Sequence, residues 1–264
     1  LKIRDGFLMV ALVWALLPIY AALPLVLELN LSFTDGYFEA VSGLTTTGAT
    51  VLVGLDELPV SINLWRTQMV WLGGMGLIVL AVAILPLLGI GGRQMFKAET
   101  PGPMKDTKIT PRIAETAKAL WVVYSLMSVC CLLAYYWAGM SWLDAIMHMF
   151  ATMGLGGFSS HDASFAYFAS PSIEAVSIAF MLLAGMNFAT HFVALSGRSL
   201  RPYGADPEAG WFLLVTLGSV VGIAFFLNFH DVYPSFAEAL RYAAFIVVSM
   251  GTTTGFATTD YALW

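Results

Sequence analysis

Charge is scarce in this chain. Only 11% of its 264 residues are Asp, Glu, Lys or Arg, while 59% are hydrophobic. A water-soluble domain carries roughly a quarter charged residues, so much of this surface has to face something other than water, and a lipid bilayer meets that need. Positive charge is the scarcer sign, with twelve Lys and Arg against seventeen Asp and Glu and a net charge of −5. That balance excludes nucleic acid as a partner, because nucleic acid calls for a basic face. Cysteine is almost missing: Cys130 and Cys131 are the two present, side by side in an apolar run. Adjacent thiols with no third to pair with imply no disulfide framework, and both read as packing residues. The four histidines, His148, His161, His191 and His230, are scattered and lack the paired ligand spacing of a zinc site.

What the chain does have is hydrophobic length. Crossing a bilayer takes about 17–25 apolar residues, and the stretches 6–29, 66–91, 117–138, 173–195 and 210–229 qualify. Between them lie shorter, semi-polar segments at 34–50, 142–160 and 235–257. These are too short and too polar at their ends to cross, which is the signature of re-entrant segments. The expected fold is therefore all-α and membrane-embedded. Its order is span, half-helix, Gly/Thr-rich turn, span, occurring three times with the third copy lacking its closing span. The boundaries read as 1–92 for the first unit, 93–116 for a polar linker, 117–200 for the second unit and 201–264 for the third. Opening on Leu1 and stopping at Trp264, the chain reads as a fragment of a longer polypeptide.

Ten of the twelve Lys and Arg lie at the N-terminus or between the units; Arg66 and Arg241 are the exceptions. By the positive-inside rule the connections are cytoplasmic and the turns open outside. Eleven of the seventeen acidic residues, including Asp35, Glu39, Asp56, Asp144, Asp162 and Glu174, fall on the turn side. Such a field concentrates cations, although Asp35, Asp144 and Glu238 also suit the first turns of the half-helices. Arg241 inside a half-helix needs a partner, and Glu238, three residues back, is in reach.

The turns carry the chemistry. Thr46-Thr47-Gly48, Leu155-Gly156-Gly157 and Thr253-Thr254-Gly255 align, with the glycines 109 and 98 residues apart. Non-helical backbone at membrane depth is tolerated only where it is buried in protein or lines a water-filled cavity. A half-helix aims its negative C-terminal end at the turn, which favours a cation. Glycine permits the dihedrals that point successive carbonyls along one axis, and carbonyl rings replace the hydration shell of potassium. One Thr-Thr-Gly would be weak evidence; three copies, each after a half-helix, are strong.

The segments SGLTTTGATVLVGLDELP, GGMGLIVLAVAILPLLGIGG, PGPMKDTKITPRIAETAK, GLGGFSSHDAS and MGTTTGFATTD resemble the Trk/Ktr/HKT superfamily of potassium transporters, in its bacterial TrkH type. The resemblance covers essentially the whole chain. It implies four helix–pore loop–helix repeats around a pseudo-fourfold pore. Gly48, Gly157 and Gly255 would be three of the four filter glycines, and Thr46, Thr47, Leu155, Gly156, Thr253 and Thr254 would supply filter carbonyls. It also implies a homodimer in the bacterial cytoplasmic membrane, K+ as the transported ion with no organic cofactor, and a cytoplasmic nucleotide-binding regulatory ring. The basic segments 93–118 and 198–201 are candidates to dock that ring. The helices before repeat one, the end of repeat three with the family's gate loop, and repeat four would be absent.

Two rival readings stay in view. An ion-coupled secondary transporter, driven by H+ or Na+, also uses broken helices and a midplane site, and the sequence does not separate it from a pore. An intramembrane hydrolase is suggested by Ser159-Ser160-His161-Asp162. Consecutive residues in a turn point apart, however, and there is no Gly-x-Ser-x-Gly elbow, so the chain reads as no enzyme. Within the family a glycine at the first filter position goes with potassium and a serine with sodium. Gly48→Ser in the full-length protein is accordingly expected to raise sodium permeation relative to potassium in a flux assay, and unchanged selectivity would undo the alignment.

Overall fold

The computed structural model describes residues 3–84 and 113–264, and its regular elements are all helical. The first unit contains α1 (Ile3–Leu29), the half-helix α2 (Phe33–Leu44), a short 3-10 turn (Leu55–Glu57) and α3 (Val60–Ile84). The second contains α4 (Ile113–Ala138), the half-helix α5 (Trp142–Met153), a 3-10 turn (Ser164–Tyr167), α6 (Pro171–Ala184) and α7 (Phe188–Ser196). After the short α8 (Arg201–Ala205) come α9 (Pro207–Phe229), the half-helix α10 (Phe236–Gly251) and a last 3-10 turn (Tyr261–Leu263). Among the described residues three helices are long and apolar enough to cross a membrane: Val10–Leu29, Ala117–Ala138 and Pro207–Phe229. Pro18 and Pro24 sit inside α1 without ending it, as helices in lipid tolerate when neighbouring groups re-satisfy the freed carbonyls.

Each half-helix starts by the same device. Ser32, Ser141 and Ser235 take the N-cap position, and their hydroxyls accept from the backbone N–H of Asp35, Asp144 and Glu238 respectively. The cap satisfies an orphan donor, and the acidic residue in the first turn suits the positive end of the helix dipole. Three of the eleven turn-side carboxylates are thereby helix-start residues. Sixteen residues separate Ser32 from Gly48 and Ser141 from Gly157, but twenty separate Ser235 from Gly255. The third half-helix is accordingly about one turn longer, at 16 residues against 12 and 12.

Packing links each unit to the next. The helix that closes the first unit, α3, lies against both α2 and α5; α6, in the second unit, lies against both α5 and α10. The paired glycines Gly73 and Gly74 are what let α3 touch two half-helices at once. A methyl group on Gly73 would sit 2.1 Å from the carbonyl oxygen of Leu44, and one on Gly74 would sit 2.7 Å from the Cα of Gly154. Gly185, at the end of α6, fits against Thr252 in the same manner, with a 3.2 Å approach to its methyl. Small residues that allow backbone-to-backbone approach are the usual packing device between helices in lipid.

The structure corrects one expected span. Residues 173–195 do not form a single helix: α6 and α7 meet at a bend of 93°. The cause is local. Gly185 caps α6, and Asn187 takes an extended conformation while its side chain accepts from the N–H of Ala189 to start α7. His191 then reaches back, its Nε2 lying 2.8 Å from the Leu183 carbonyl at the broken end. The span expected at 66–91 starts six residues early, at Val60, and residues 85–91 lie outside the described part. Of the linker expected at 93–116, residues 93–112 also lie outside it.

Gly73→Ala tests the close approach. In the full-length protein it is expected to lower stability by about 1–3 kcal/mol through overpacking, read as a lower thermal midpoint. Gly76→Ala, where a methyl group would meet nothing within 4 Å among the described residues, should leave the midpoint within a degree or two of the parent, since the helix gains slightly from alanine.

Candidate functional site

The three turns share one backbone geometry. The N–H groups of Thr47, Gly156 and Thr254 donate to the carbonyls of Ser42, Ala151 and Ser249. One residue earlier, Thr46, Leu155 and Thr253 donate to Gly43, Thr152 and Met250. This is the Schellman pattern, which closes a helix C-terminus by placing one residue in the left-handed region. Glycine normally occupies that position; here it is Thr46 (φ +56°), Leu155 (φ +53°) and Thr253 (φ +62°). A β-branched or bulky residue in that region is strained by about 1–3 kcal/mol, a cost that persists only where the surroundings over-determine it. Two residues on, Gly48 (φ +77°), Gly157 (φ +63°) and Gly255 (φ +87°) return to positive φ. Left-handed positions alternating with other conformations keep successive peptide planes from stacking into a helix.

The turns also meet. A methyl group on Gly48 would lie 2.4 Å from the carbonyl oxygen of Gly156, and one on Gly157 would lie 2.1 Å from that of Thr254. The Thr254 oxygen is also 3.8 Å from the same position on Gly48. Thus the nine residues singled out from the sequence, Thr46, Thr47, Gly48, Leu155, Gly156, Gly157, Thr253, Thr254 and Gly255, come together at one place. Among the described residues Gly255 faces open space, with nothing within 4 Å of a methyl built on it. Hydroxyls stand beside two of the turns: Thr45 and Thr47 are 2.7 Å apart, as are Thr252 and Thr254. In the second unit the corresponding residues are Gly154 and Gly156, which bring none.

Behind the first turn lies a buried ion pair that the sequence did not disclose. Glu39 of α2 and Arg66 of α3 are both fully buried, with Nη2 2.7 Å from Oε1 and Nε donating to the same oxygen at 2.8 Å. The Thr50 hydroxyl lies 2.8 and 3.0 Å from the two carboxylate oxygens and accepts from Arg66 Nη2 at 3.2 Å. The N–H of Val51 completes the shell of Glu39 at 3.2 Å. In the second unit His148 occupies the place of Glu39. Its Nδ1 lies 2.9 Å from the Asp144 carbonyl and its Nε2 2.9 Å from the Ser159 hydroxyl. A carbonyl only accepts, so Nδ1 donates, and in the neutral ring Nε2 accepts from the Ser159 hydroxyl. The repeated spacing of eleven residues, Glu39 to Thr50 and His148 to Ser159, was the available signal. Ser159 itself is buried, and its hydroxyl also accepts from the N–H of His161 at 3.1 Å.

Outside the turns the connecting loops are clasped together. His161 sits between Asp56 of the first unit and Asp144 of the second, with its Nε2 3.2 Å from Asp144 Oδ1. It stacks on Tyr167 with ring centres 3.4 Å apart. The hydrogen bond from His161 holds the Asp56 carboxyl below the usual carboxylate range. Asp162 accepts from the N–H of Leu55 at 3.0 Å. The loop after the second turn also reaches the third, since the N–H of Phe165 donates to the Ala257 carbonyl at 3.0 Å.

Arg241 has a different partner from the one its sequence neighbours suggested. It binds Glu174 of α6 in a bidentate pair, with Nε and Nη2 each 2.6 Å from a carboxylate oxygen. Glu238 instead starts its helix at the Ser235 cap. Glu39 and Glu174 are therefore buried carboxylates held in ion pairs and are not free members of an outer acidic field.

Half-helices that deliver strained, glycine-bearing backbone to one point inside a bundle of apolar helices define an integral membrane protein of the pore-loop kind. The chain belongs to the TrkH family, described as cation transport protein, whose model matches residues 1–264. It is 53% identical to the Trk system potassium uptake proteins TrkH of Salmonella typhimurium and Escherichia coli K12, over all of this chain and 55% of each relative. It is 43% identical to TrkG of Escherichia coli K12 over the same share. The crystal structure of the potassium transporter TrkH from Vibrio parahaemolyticus superposes with a TM-score of 0.86 at 46% identity, covering 100% of this chain and 54% of that one. The chain thus spans about half the length of the curated relatives it matches.

The two ion pairs differ in exposure, and so should their mutants. Arg66→Gln leaves Glu39 charged and fully buried, which costs about 3–5 kcal/mol. Arg241→Gln should cost less, because the Arg241 side chain is 32% exposed and water can take its place. Comparing the thermal unfolding midpoints of the two variants in full-length protein checks the order.

Proposed function

We propose that this chain forms most of the pore wall of a potassium uptake system. Gly48, Gly157 and Gly255, with the carbonyls of Thr46, Thr47, Leu155, Gly156, Thr253 and Thr254, line the path of K+ as three strands of a filter. The single observation that carries this reading is the approach of the three turns, so close that neither Gly48 nor Gly157 admits a methyl group without displacing a carbonyl of the next turn. Carbonyl-bearing turns brought that near one another, at the negative ends of three half-helices, attract and strip a monovalent cation. No organic cofactor enters the transport step. The fourth strand comes from the remainder of the longer protein, on the open side of Gly255.

The chain then reads as helix–pore loop–helix repeats at 1–92, 117–200 and 201–264, joined by a cytoplasmic linker at 93–116. The protein sits in the bacterial cytoplasmic membrane with the turns facing outside, works as a homodimer and is regulated by a cytoplasmic nucleotide-binding ring. The linkers at 93–118 and 198–201 dock that ring. A second reading, coupled transport driven by H+ or Na+, is favoured by the 93° break between α6 and α7, since broken helices around a midplane site are common in secondary transporters.

Flux in proteoliposomes holding the full-length protein separates the two. A pore passes K+ down its own gradient at the same rate whether or not a proton or sodium gradient is present. Loss of K+ flux when those gradients are collapsed would replace the pore with the coupled mechanism.

A further inference from the structure

Arg66 is placed where two turns adjoin. Its guanidinium reaches Glu39 on the half-helix of the first unit and Thr50, two residues beyond Gly48, at 3.2 Å. On the other side Nη1 points at the carbonyl of Ser159, two residues beyond Gly157, at 3.5 Å, and the guanidinium carbon lies 4.6 Å over the Phe158 ring. Nη1 is held in turn by Asn63 Oδ1 at 3.1 Å. One rigid fork therefore touches the residues just outside the filter glycine of the first unit and just outside that of the second. Both Arg66 and Glu39 are fully buried, so water cannot substitute for any of these contacts. The opposite side of Ser159 is fixed by His148, so Arg66 works against a strand that cannot slide away.

We propose that Arg66 is a positioning residue that sets the spacing between the strands bearing Gly48 and Gly157, and so helps decide which cation passes. The inference rests on the reading of these strands as a filter. What matters is the planar fork and not the positive charge alone. Lysine would keep a cation opposite Glu39, but as a single point charge it cannot serve Glu39, Thr50 and Ser159 together. Coordination by backbone carbonyls depends on distance, and potassium differs from sodium chiefly in the distance it needs. A shift in strand spacing should therefore change the ratio of the two fluxes. A variant that merely folds less well would reduce both together.

The test uses full-length protein in proteoliposomes, with potassium and sodium uptake measured separately. Arg66→Lys is expected to lower the potassium-to-sodium ratio by about tenfold, as losing one or two charge-assisted hydrogen bonds implies, while the protein elutes as the parent does. A wild-type ratio in correctly folded Arg66→Lys would overturn the proposal. If Arg66→Lys does not fold, Thr50→Val takes its place. It removes the hydroxyl shared by Glu39, Arg66 and the N–H of Leu52 and leaves the ion pair intact. A lowered ratio supports the proposal, and an unchanged ratio overturns it. Gly48→Ser is measured alongside as the control for the filter itself. If Gly48→Ser shifts selectivity and the Arg66 and Thr50 variants do not, the positioning role alone fails. If none of them shifts it, the filter reading fails.

Discussion

The structure depends on backbone meeting backbone inside the bilayer. At Gly48 against Gly156, Gly157 against Thr254 and Gly73 against Leu44, there is no room for a methyl group between one main chain and the next. Such contacts are demanding in lipid, where every peptide group must find a partner within the protein. The half-helices solve this by closing their own C-termini with Schellman hydrogen bonds, at the cost of holding Thr46, Leu155 and Thr253 in the left-handed region. Strain of that kind survives only if the surroundings leave no alternative. The rest of the fold supplies that enforcement: glycines on α3 and α6 that let each reach the next half-helix, capping serines that fix where each half-helix begins, and outer loops clasped across the units.

The bracing behind the turns follows the repeat but varies its chemistry. In the first unit a carboxylate, Glu39, holds the hydroxyl of Thr50; in the second an imidazole, His148, holds that of Ser159. In the third the half-helix residue Ser249 donates its own hydroxyl to the Phe256 carbonyl at 2.7 Å. Only the first brace is ionic, and it is the one placed to touch a neighbouring strand as well as its own. The bidentate pair of Arg241 with Glu174 ties α10 to α6 across the next boundary. Successive units are thus joined by an arginine at each described junction, although the arginine sits on the closing helix in one case and on the half-helix in the other.

Much of this was legible in the sequence because it is local or periodic. Three Ser-x-x-acid starts, three short semi-polar segments and three glycines at matched places all lie within windows that a single reading can align. The break at Gly185 to Asn187 was legible in principle, as a glycine followed by a capping asparagine, but the surrounding apolar run hid it. The pairing of Arg66 with Glu39 and of Arg241 with Glu174 was not legible. These partners are 27 and 67 residues apart, and only the packing of α3 on α2 and of α6 on α10 decides them. For Arg241 the sequence offered Glu238 at helical spacing, and tertiary packing chose otherwise. Two of the eleven outer acids, Glu39 and Glu174, leave the attracting field for the same reason, since burial converts them from free charges into bonded ones.

The central claim is that the three turns bind a monovalent cation through their carbonyls. Anomalous scattering from thallium or rubidium, used in place of potassium with the full-length protein, tests it most directly. The account predicts peaks on the axis enclosed by Thr46–Gly48, Leu155–Gly157 and Thr253–Gly255. Anomalous peaks that lie only elsewhere in the protein, with none between these turns, would contradict it.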